Sequence, residues 1–236
     1  MGIALTNPPL PLSDDAGDML LYRYSVDQYH ELIEAGTIEE GAPYELLDGV
    51  VVRKVRSATG ENPMTVNPDH VWSVRQLDKL DAKLLRAGCH MRTQSPLTLA
   101  PHHEPEPDGL IVRGSPDEFL DRHPRSADAL CVVEVADASL RTDRGRKQRI
   151  YATAGIPVYV ILNLPDRVAE VYSDPNAGTG RYGRSETLLP NDKLALPTVR
   201  GAKLTVTVKS LLPKSATPRR PSSGTSPPAT RSPSPS

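Results

Sequence analysis

Apolar positions along the chain follow two periods, and the switches between them predict the order of the secondary structure. Some stretches place apolar residues three or four positions apart, which is typical of an amphipathic helix, whereas others alternate or run continuously, which is typical of strands. The predicted elements are a helix over 25–36, a hairpin over 44–55, a helix from Asn67 to about Ala87, strands over 90–100, 107–113 and 129–136, a helix over 143–154, and strands over 158–162, 168–172 and 202–208. This order predicts an α/β (α+β) domain with a mixed central sheet flanked by helices, preceded by an N-terminal helix and hairpin.

Capping and turn residues support the boundaries of the first three elements. Ser25 and Gln28 have the spacing of a capping box at the start of the first helix. Asp48-Gly49 is a dipeptide favoured in tight hairpin turns, and two β-prone runs flank it. Asn67-Pro68 combines a good N-cap with a proline suited to the first helical position. The core stripe predicted along this second helix consists of Val71, Val74, Leu77, Leu80 and Leu84.

Proline divides the chain into a folded part and a tail. The chain holds 24 prolines in 236 residues, and residues 213–236 hold seven of them with seven serines, four basic residues and no acidic residue. Because such a segment has too little apolar surface to offset its ordering entropy, we expect a disordered Pro/Ser-rich basic tail over 213–236. We also expect a flexible N-terminal segment over 1–18, which leaves one domain over 19–212.

Charge, hydropathy and cysteine content exclude several classes of protein. Without the tail, 24 basic residues stand against 29 acidic ones, a net charge of −5, so an overall basic footprint for nucleic acid is absent. Residues 141–149 form a local exception, with five basic residues and one acidic residue. No apolar run is long enough to span a membrane, and no signal peptide is recognisable. With two cysteines only, we expect a cytoplasmic protein with reduced thiols.

Glu134 is the most informative candidate residue. It lies within the almost continuously apolar run 129–136, which predicts a strand buried on both faces. Burial of an unpaired carboxylate in such a strand would be costly. Two interpretations therefore remain open: Glu134 forms a structural ion pair with an arginine, or it ligates a metal ion at the edge of a cleft.

Asp108 begins the strand predicted over 107–113, directly after a proline-rich turn. Carboxylates on neighbouring strands can converge on one hard cation, and two or three of them suffice for Mg²⁺ because it keeps several waters. The alternative is that Pro107-Asp108-Gly109 is an ordinary turn sequence.

The helix predicted over 143–154 carries a third candidate set. Asp143, Lys147 and Tyr151 are spaced i, i+4, i+8, so they lie along one face. A sharp turn after the strand over 129–136 would bring the Lys147 ammonium over the carboxylates, where it could stabilise negative charge in a transition state. The alternative is a solvated basic helix with an Asp–Lys pair.

Other titratable residues favour structural interpretations. His102, His103, Glu104 and Glu106 are interrupted by prolines and indicate a solvated loop in preference to a metal cluster. His70 follows the start of the second helix, where a satisfied helix-start histidine is favoured over a residue facing a cleft.

Several short motifs follow one another along the chain in a specific order. They are Tyr44-Glu45-Leu46-Leu47-Asp48-Gly49, Asn67-Pro68-Asp69-His70, Pro107-Asp108-Gly109, Val133-Glu134-Val135, and Asp143, Lys147 and Tyr151 followed by residues 155–159 (GIPVY). In this order and spacing, over about residues 22–175, the chain resembles the Uma-type endonuclease family of the PD-(D/E)XK superfamily.

The resemblance implies a restriction-endonuclease-like fold with a four- or five-stranded sheet. It also implies Mg²⁺-dependent hydrolysis of DNA phosphodiester bonds, with Mn²⁺ as a substitute. Asp108 and Glu134 take the places of the superfamily's two acidic metal ligands. Ala136 occupies the usual position of the superfamily's lysine, and Lys147 matches the family's shifted lysine. Glu45 resembles an additional ligand, although a surface position on the hairpin is an equal alternative.

Further expectations concern partners. Arg144, Arg146 and Arg149 would contact neighbouring phosphates, with Asp143 and Tyr151 supporting the site. Nucleases of this type often act as homodimers, so that each strand of DNA meets a site. A catalytically inactive nucleic-acid-binding or regulatory protein on the same fold is the competing hypothesis, because a fold does not guarantee activity.

Overall fold

A computed structural model describes residues 10–11, 20–54, 67–199, 201 and 203–214. The flexible segment expected over 1–18, apart from Leu10–Pro11, lies outside the described residues, as does the tail from residue 215 onward. The strands are β1 (Leu10–Pro11), β2 (Leu20–Leu21), β3 (Tyr44–Leu47), β4 (Val50–Arg53), β5 (Cys89–Arg92), β6 (Gly109–Arg113), β7 (Ala129–Ala136), β8 (Val158–Asn163), β9 (Val168–Asn176), β10 (Arg181–Leu188), β11 (Lys193–Leu196) and β12 (Leu204–Thr207). The helices are α1 (Val26–Glu34), α2 (Pro68–Asp78), α3 (Asp81–Leu85), α4 (Leu140–Thr142) and α5 (Gln148–Thr153), with a π-helical turn, Asp143–Lys147, joining α4 to α5.

A six-stranded mixed sheet forms the centre of the fold, in the order β10-β9-β8-β7-β6-β5. β7 and β8 are parallel, and the other neighbours are antiparallel. The parallel pair is connected by α4, the π-helical turn and α5, as parallel strands require a crossover. The mixed α+β architecture predicted from the sequence is confirmed, but the sheet has six strands where the resemblance implied four or five.

The two faces of this sheet are covered by different elements. On one face, α2 and α3 pack with β11 and β12 over an apolar core that includes Leu77, Leu84, Val133, Val160 and Leu194. On the other face, α5 and the β3–β4 hairpin cover a second core. Since side chains alternate along a strand, β7 supplies residues to both cores, and all eight of its residues are buried.

The predicted local signals are present at the first elements. Ser25 caps α1 in a complete capping box with Gln28. At the hairpin turn, Asp48 and Gly49 have φ of 54° and 74°, the positive values that a tight β-hairpin turn requires. A Cβ atom on Gly49 would lie 2.6 Å from the Arg23 Cβ, so no larger residue fits there without a shift.

Two predictions for the second helix differ from the structure. The helix expected to run from Asn67 to about Ala87 is divided into α2 and α3, because the Leu80 N–H bonds the Leu77 carbonyl and tightens the turn between them. Val71, assigned to its core stripe, is 38% exposed. None of the helices in the described ranges has the length and hydropathy needed to cross a membrane.

Candidate active site

A cavity of about 260 Å³ opens where β7 ends and β6 begins. Its walls come from the β3–β4 hairpin, the first turn of α2, the turn after β7 and the π-helical turn. Six acidic and four basic side chains line it, a formal charge of −2 with His70 neutral. The acidic residues are Glu45, Glu106, Asp108, Glu134, Asp137 and Asp143, and the basic residues are Arg53, Lys54, Arg146 and Lys147.

The register of the central sheet brings Asp108 and Glu134 together. Gly109 of β6 pairs with Val133 of β7 in the antiparallel ladder, so Asp108 lies opposite Glu134 on the same face. The Val135 N–H donates to Asp108 Oδ2 at 2.9 Å, which fixes the carboxylate at the edge of the sheet. Both predicted ligands therefore face one cavity.

Lys147 binds two of the carboxylates. Its ammonium lies 3.0 Å from Glu134 Oε1 and 3.1 Å from Glu45 Oε1, and the residue is only 7% exposed. Tyr151, one helical turn further, donates to Glu134 Oε1 at 2.7 Å. The predicted face of Asp143, Lys147 and Tyr151 is thus buried and directed at Glu134, and the solvated-helix alternative does not describe it.

Glu45 is buried on the inner side of the β3–β4 hairpin. Its Oε1 accepts from the Glu106 N–H at 3.0 Å and lies 3.5 Å from the Lys54 ammonium. Burial alone would raise the pKa of Glu45, but the charges of Lys147 and Lys54 hold it below its ordinary value. The alternative of an exposed hairpin position is excluded by its 3% exposure.

Burial and mutual repulsion oppose ionisation elsewhere in the cavity. Burial, reinforced by the charges of Asp143, Asp108 and Glu45, raises the pKa of Glu134 to about 8 despite Lys147. Burial likewise raises the pKa of Asp143 to about 6. Burial would lower the pKa of Lys147, but the surrounding carboxylates raise it well above its ordinary value. The lysine is consequently a fixed positive charge, and the acidic residues are in excess.

His70 reaches the same cavity, which the sequence interpretation did not favour. Its Nε2 lies 3.1 Å from Asp108 Oδ2, and its Nδ1 is buried without a hydrogen-bond partner in the described part of the chain. Burial would raise the pKa of Asp108, but the hydrogen bonds from His70 and Val135 hold it low. The Asn67 cap, which fixes the start of α2, was the available signal, since it sets where His70 points.

The loop before Asp108 was expected to be solvated, but part of it is buried. Glu104 is 3% exposed, with Oε1 2.6 Å from His30 Nε2 and Oε2 accepting from the Thr98 hydroxyl. This burial arises because the loop pairs with β3 through a bridge between Leu46 and Glu104. Glu106 instead faces the cavity, where Lys54 lies 3.0 Å from its Oε2.

The three arginines expected to contact phosphates occupy different places. Arg146 lines the cavity and lies 3.5 Å from Asp48 Oδ2. Arg149 donates to the same Asp48 oxygen at 2.7 Å. Arg144 forms a two-point ion pair with Glu170 and lies in a separate groove beside Tyr172 and Tyr182.

The cavity suits a hard divalent cation in its donor chemistry. Six carboxyl groups line it against four basic side chains, and one of its buried oxygens, Asp143 Oδ1, has no hydrogen-bond partner among the described residues. No group of three or more His, Cys, Asp or Glu side chains in that part of the chain is arranged to hold a metal ion. Mg²⁺ fits such a site because it keeps several waters and needs one or two protein carboxylates.

Comparison with solved structures identifies the class of fold. The chain is similar to the crystal structure of "a putative nuclease belonging to DUF820" from Anabaena variabilis ATCC 29413, with a TM-score of 0.56 and 13% sequence identity. The match covers 76% of this chain and 96% of that chain. At this identity the likeness establishes a shared fold, that of the nuclease neighbour.

The sequence places the chain in a family. The Uma2 family model, described as "Putative restriction endonuclease", matches residues 26–207, so the chain belongs to the Uma2 family. No curated protein matches the chain. The family and the fold together support a nuclease, and the resemblance found in the sequence motifs is confirmed.

Proposed function

We propose that this chain is a Mg²⁺-dependent endonuclease that hydrolyses DNA phosphodiester bonds, with Mn²⁺ able to replace Mg²⁺. The observation that carries the proposal is the convergence of Asp108 and Glu134, from adjacent strands, on a cavity whose buried Lys147 lies 3.0 Å from Glu134. Two carboxylates at one sheet edge, with a fixed ammonium above them, suit metal-dependent phosphodiester hydrolysis.

Asp108 and Glu134 are the proposed metal ligands, with Glu45 as the third. A bound Mg²⁺ supplies a polarised phosphoryl oxygen and a water of lowered pKa. Hydrogen bonds from neighbouring groups hold the two proposed ligands in place. The Val135 N–H and His70 fix Asp108, and Tyr151 fixes Glu134. Such supporting hydrogen bonds orient a ligand carboxylate before the metal binds.

Lys147 is the proposed stabiliser of the transition state. Its raised pKa keeps it charged throughout the physiological pH range, and its bonds to Glu45 and Glu134 keep it at the carboxylate cluster. A preorganised positive charge of this kind costs no reorganisation when negative charge develops on the phosphate.

DNA is the proposed partner, bound through its phosphates. Arg146 lines the cavity and pairs with Asp48, and Arg149, which pairs with the same carboxylate, lines the neighbouring groove with Arg144. Contacts of this type position the duplex without reading its sequence. A homodimer in the cytoplasm, which would present one site to each strand, completes the proposal.

The test is a cleavage assay on supercoiled plasmid, linear duplex and single-stranded DNA, with Mg²⁺, Mn²⁺ or EDTA. We expect metal-dependent nicking and linearisation that Asp108→Asn and Lys147→Met remove while circular dichroism reports an intact fold. Cleavage that persists in EDTA, or in Asp108→Asn, would contradict the assignment of the site.

A catalytically inactive nucleic-acid-binding protein remains the second candidate. It is favoured by Ala136 at the superfamily's usual lysine position, and by the ammonium of Lys147, which already bonds two of the three proposed ligands. This candidate predicts DNA retention in a filter-binding assay without cleavage, and no saturable Mg²⁺ binding that depends on Asp108 and Glu134.

A further inference from the structure

Asp143 is a buried carboxylate of the cavity with one oxygen unused. It lies at the start of the π-helical turn and is 1% exposed. Its Oδ2 accepts a hydrogen bond from the Ser139 hydroxyl at 2.6 Å. Its Oδ1 has no hydrogen-bond partner in the part of the chain that the structure describes.

This oxygen is unusual even among unpaired atoms. Five buried side-chain atoms of the described residues have no partner, and Asp143 Oδ1 is the one carboxylate oxygen in that set. Leaving a buried carboxylate oxygen without a donor or cation is more costly than leaving a neutral group unpaired. A cation in the cavity would satisfy it.

The backbone holds Asp143 where it is. Its carbonyl accepts from the Tyr159 hydroxyl at 3.1 Å and from the N–H of Gln148, so the first residue of the π-helical turn is tied to β8. Tyr159 is itself fully buried. These bonds fix the backbone from which the carboxylate projects.

The Lys147 ammonium does not form a hydrogen bond with Asp143 Oδ1. The Lys147 ammonium, four residues further along, bonds Glu45 and Glu134 instead. Six acidic side chains against four basic ones line the cavity, so its basic residues are too few to pair every carboxylate.

We propose that Asp143 ligates a divalent cation in this cavity through Oδ1. This inference rests on the proposed function and extends it, because it adds a ligand from the crossover segment to the carboxylates of the hairpin and sheet. Ser139 acts as a positioning residue, since its hydroxyl occupies Oδ2 and leaves Oδ1 as the oxygen available to a cation.

The test is a titration of the intact protein with Mn²⁺ alone, with free Mn²⁺ measured by electron paramagnetic resonance. Asp143→Asn keeps the size of the side chain and the acceptor for Ser139 but removes the anionic oxygen. We expect its Mn²⁺ affinity to fall at least about 10-fold. Asp137→Asn is the matched control, because Asp137 lines the same cavity but none of its oxygens is among the buried unpaired atoms of the described residues. We expect the control to change affinity less than about threefold.

The outcomes separate the two proposals. Unchanged affinity in Asp143→Asn, or an equal loss in Asp137→Asn, would overturn this inference, and a loss in Asp108→Asn alone would leave the proposed function standing. No saturable binding by the wild-type protein would overturn both. If Asp143→Asn fails to fold, Ser139→Ala provides the second variant, with a smaller loss of Mn²⁺ affinity expected and an unchanged affinity counting against the proposal.

Discussion

The two faces of the central sheet differ in kind, although the same strand lines both. β7 directs Cys131, Val133 and Val135 into the core under α2 and α3, a large cluster of buried apolar side chains. From the same strand, Val132 and Ala136 enter the core under α5, and Glu134 lies between them. One face is closed, and the other opens into a charged cavity at its edge.

One face of the central sheet therefore contributes mainly to stability, and the other carries the groups suited to chemistry. The face under α2 and α3 buries mainly apolar side chains, with Ser73 of α2 as a buried polar exception, so its contribution is chiefly that of the hydrophobic effect. The opposite face buries four charged groups near Glu134, namely Glu45, Asp108, Asp143 and Lys147. Buried charges rarely add net stability, so their presence on one face indicates function there.

Among the substitutions that test the difference between the two faces, Glu134→Gln should have the largest effect. Glu134→Gln keeps the shape and leaves an acceptor for Tyr151, so the fold should persist, while DNA cleavage should fall about 1,000-fold through loss of an anionic ligand. Plasmid cleavage rates measured beside thermal melts check the prediction.

Glu104→Gln is the matched control, because Glu104 is a buried glutamate that pairs with His30 and does not line the cavity. It should lower stability while leaving cleavage within about threefold of the wild type. Equal losses of cleavage in both variants would mean that any buried, paired glutamate matters, and not the cavity.

The reverse effect is expected on the apolar face. Leu84 of α3 is fully buried there, and Leu84→Ala should lower the free energy of unfolding by about 2–5 kcal/mol through lost burial and a residual cavity. Cleavage per folded molecule at low temperature should remain that of the wild type. Urea titration and cleavage rates together check this, and a specific loss of activity in folded Leu84→Ala would contradict the separation of the faces.

Acid should lower the free energy of unfolding through the protonation of His103. Burial, opposed by Asp48, lowers the pKa of His103 to about 4, and its Nδ1 accepts from the Asp48 N–H. Between its unfolded pKa of about 6.5 and pH 4, the unfolded state binds the proton and the native state does not. Stability from this residue is therefore complete above about pH 6.5 and is lost as the pH falls toward 4, about 3 kcal/mol in total.

The measurement is the difference in unfolding free energy between wild type and His103→Gln at pH 7 and at pH 4.5. We expect the wild type's advantage to shrink in acid, because glutamine carries no titrating group. A difference that is independent of pH would show that His103 does not titrate in this range.

The smallest of these effects is expected at the start of α2. Asn67 caps the helix through the Asp69 N–H and also donates to Asp137 Oδ2 at 2.7 Å, which joins the helix to the turn after β7. Asn67→Ala should cost about 1 kcal/mol in unfolding free energy and reduce cleavage modestly, since His70 depends on the same turn. Asn67→Asp keeps the cap to the Asp69 N–H and should retain more helix stability than Asn67→Ala in the same urea titration.

Strongly patterned elements were predictable from the sequence, and weakly patterned ones were not. The run that became β7 is apolar at nearly every position, and the hairpin has a turn dipeptide that few other structures favour. β10, in contrast, is mostly exposed and is held by its backbone ladder to β9, so it carries no hydrophobic period and went unpredicted.

The candidate site divides in the same way. Asp108, Glu134 and Lys147 were predictable because each interrupts or adjoins a clear element, and the structure brings them to one cavity. His70 and Lys54 were not, because their roles depend on how α2 and the hairpin pack against distant strands. The unused oxygen of Asp143 is likewise a property of the packed π-helical turn and leaves no mark in the sequence.

The most direct test of the account is anomalous diffraction from crystals of the full chain soaked in Mn²⁺. The account predicts an anomalous peak inside the cavity, within coordinating distance of Asp108 and Glu134. A cavity without a peak at saturating Mn²⁺, with Lys147 still bonded to both Glu45 and Glu134, would contradict the central claim that this face of the sheet is a metal-dependent active site.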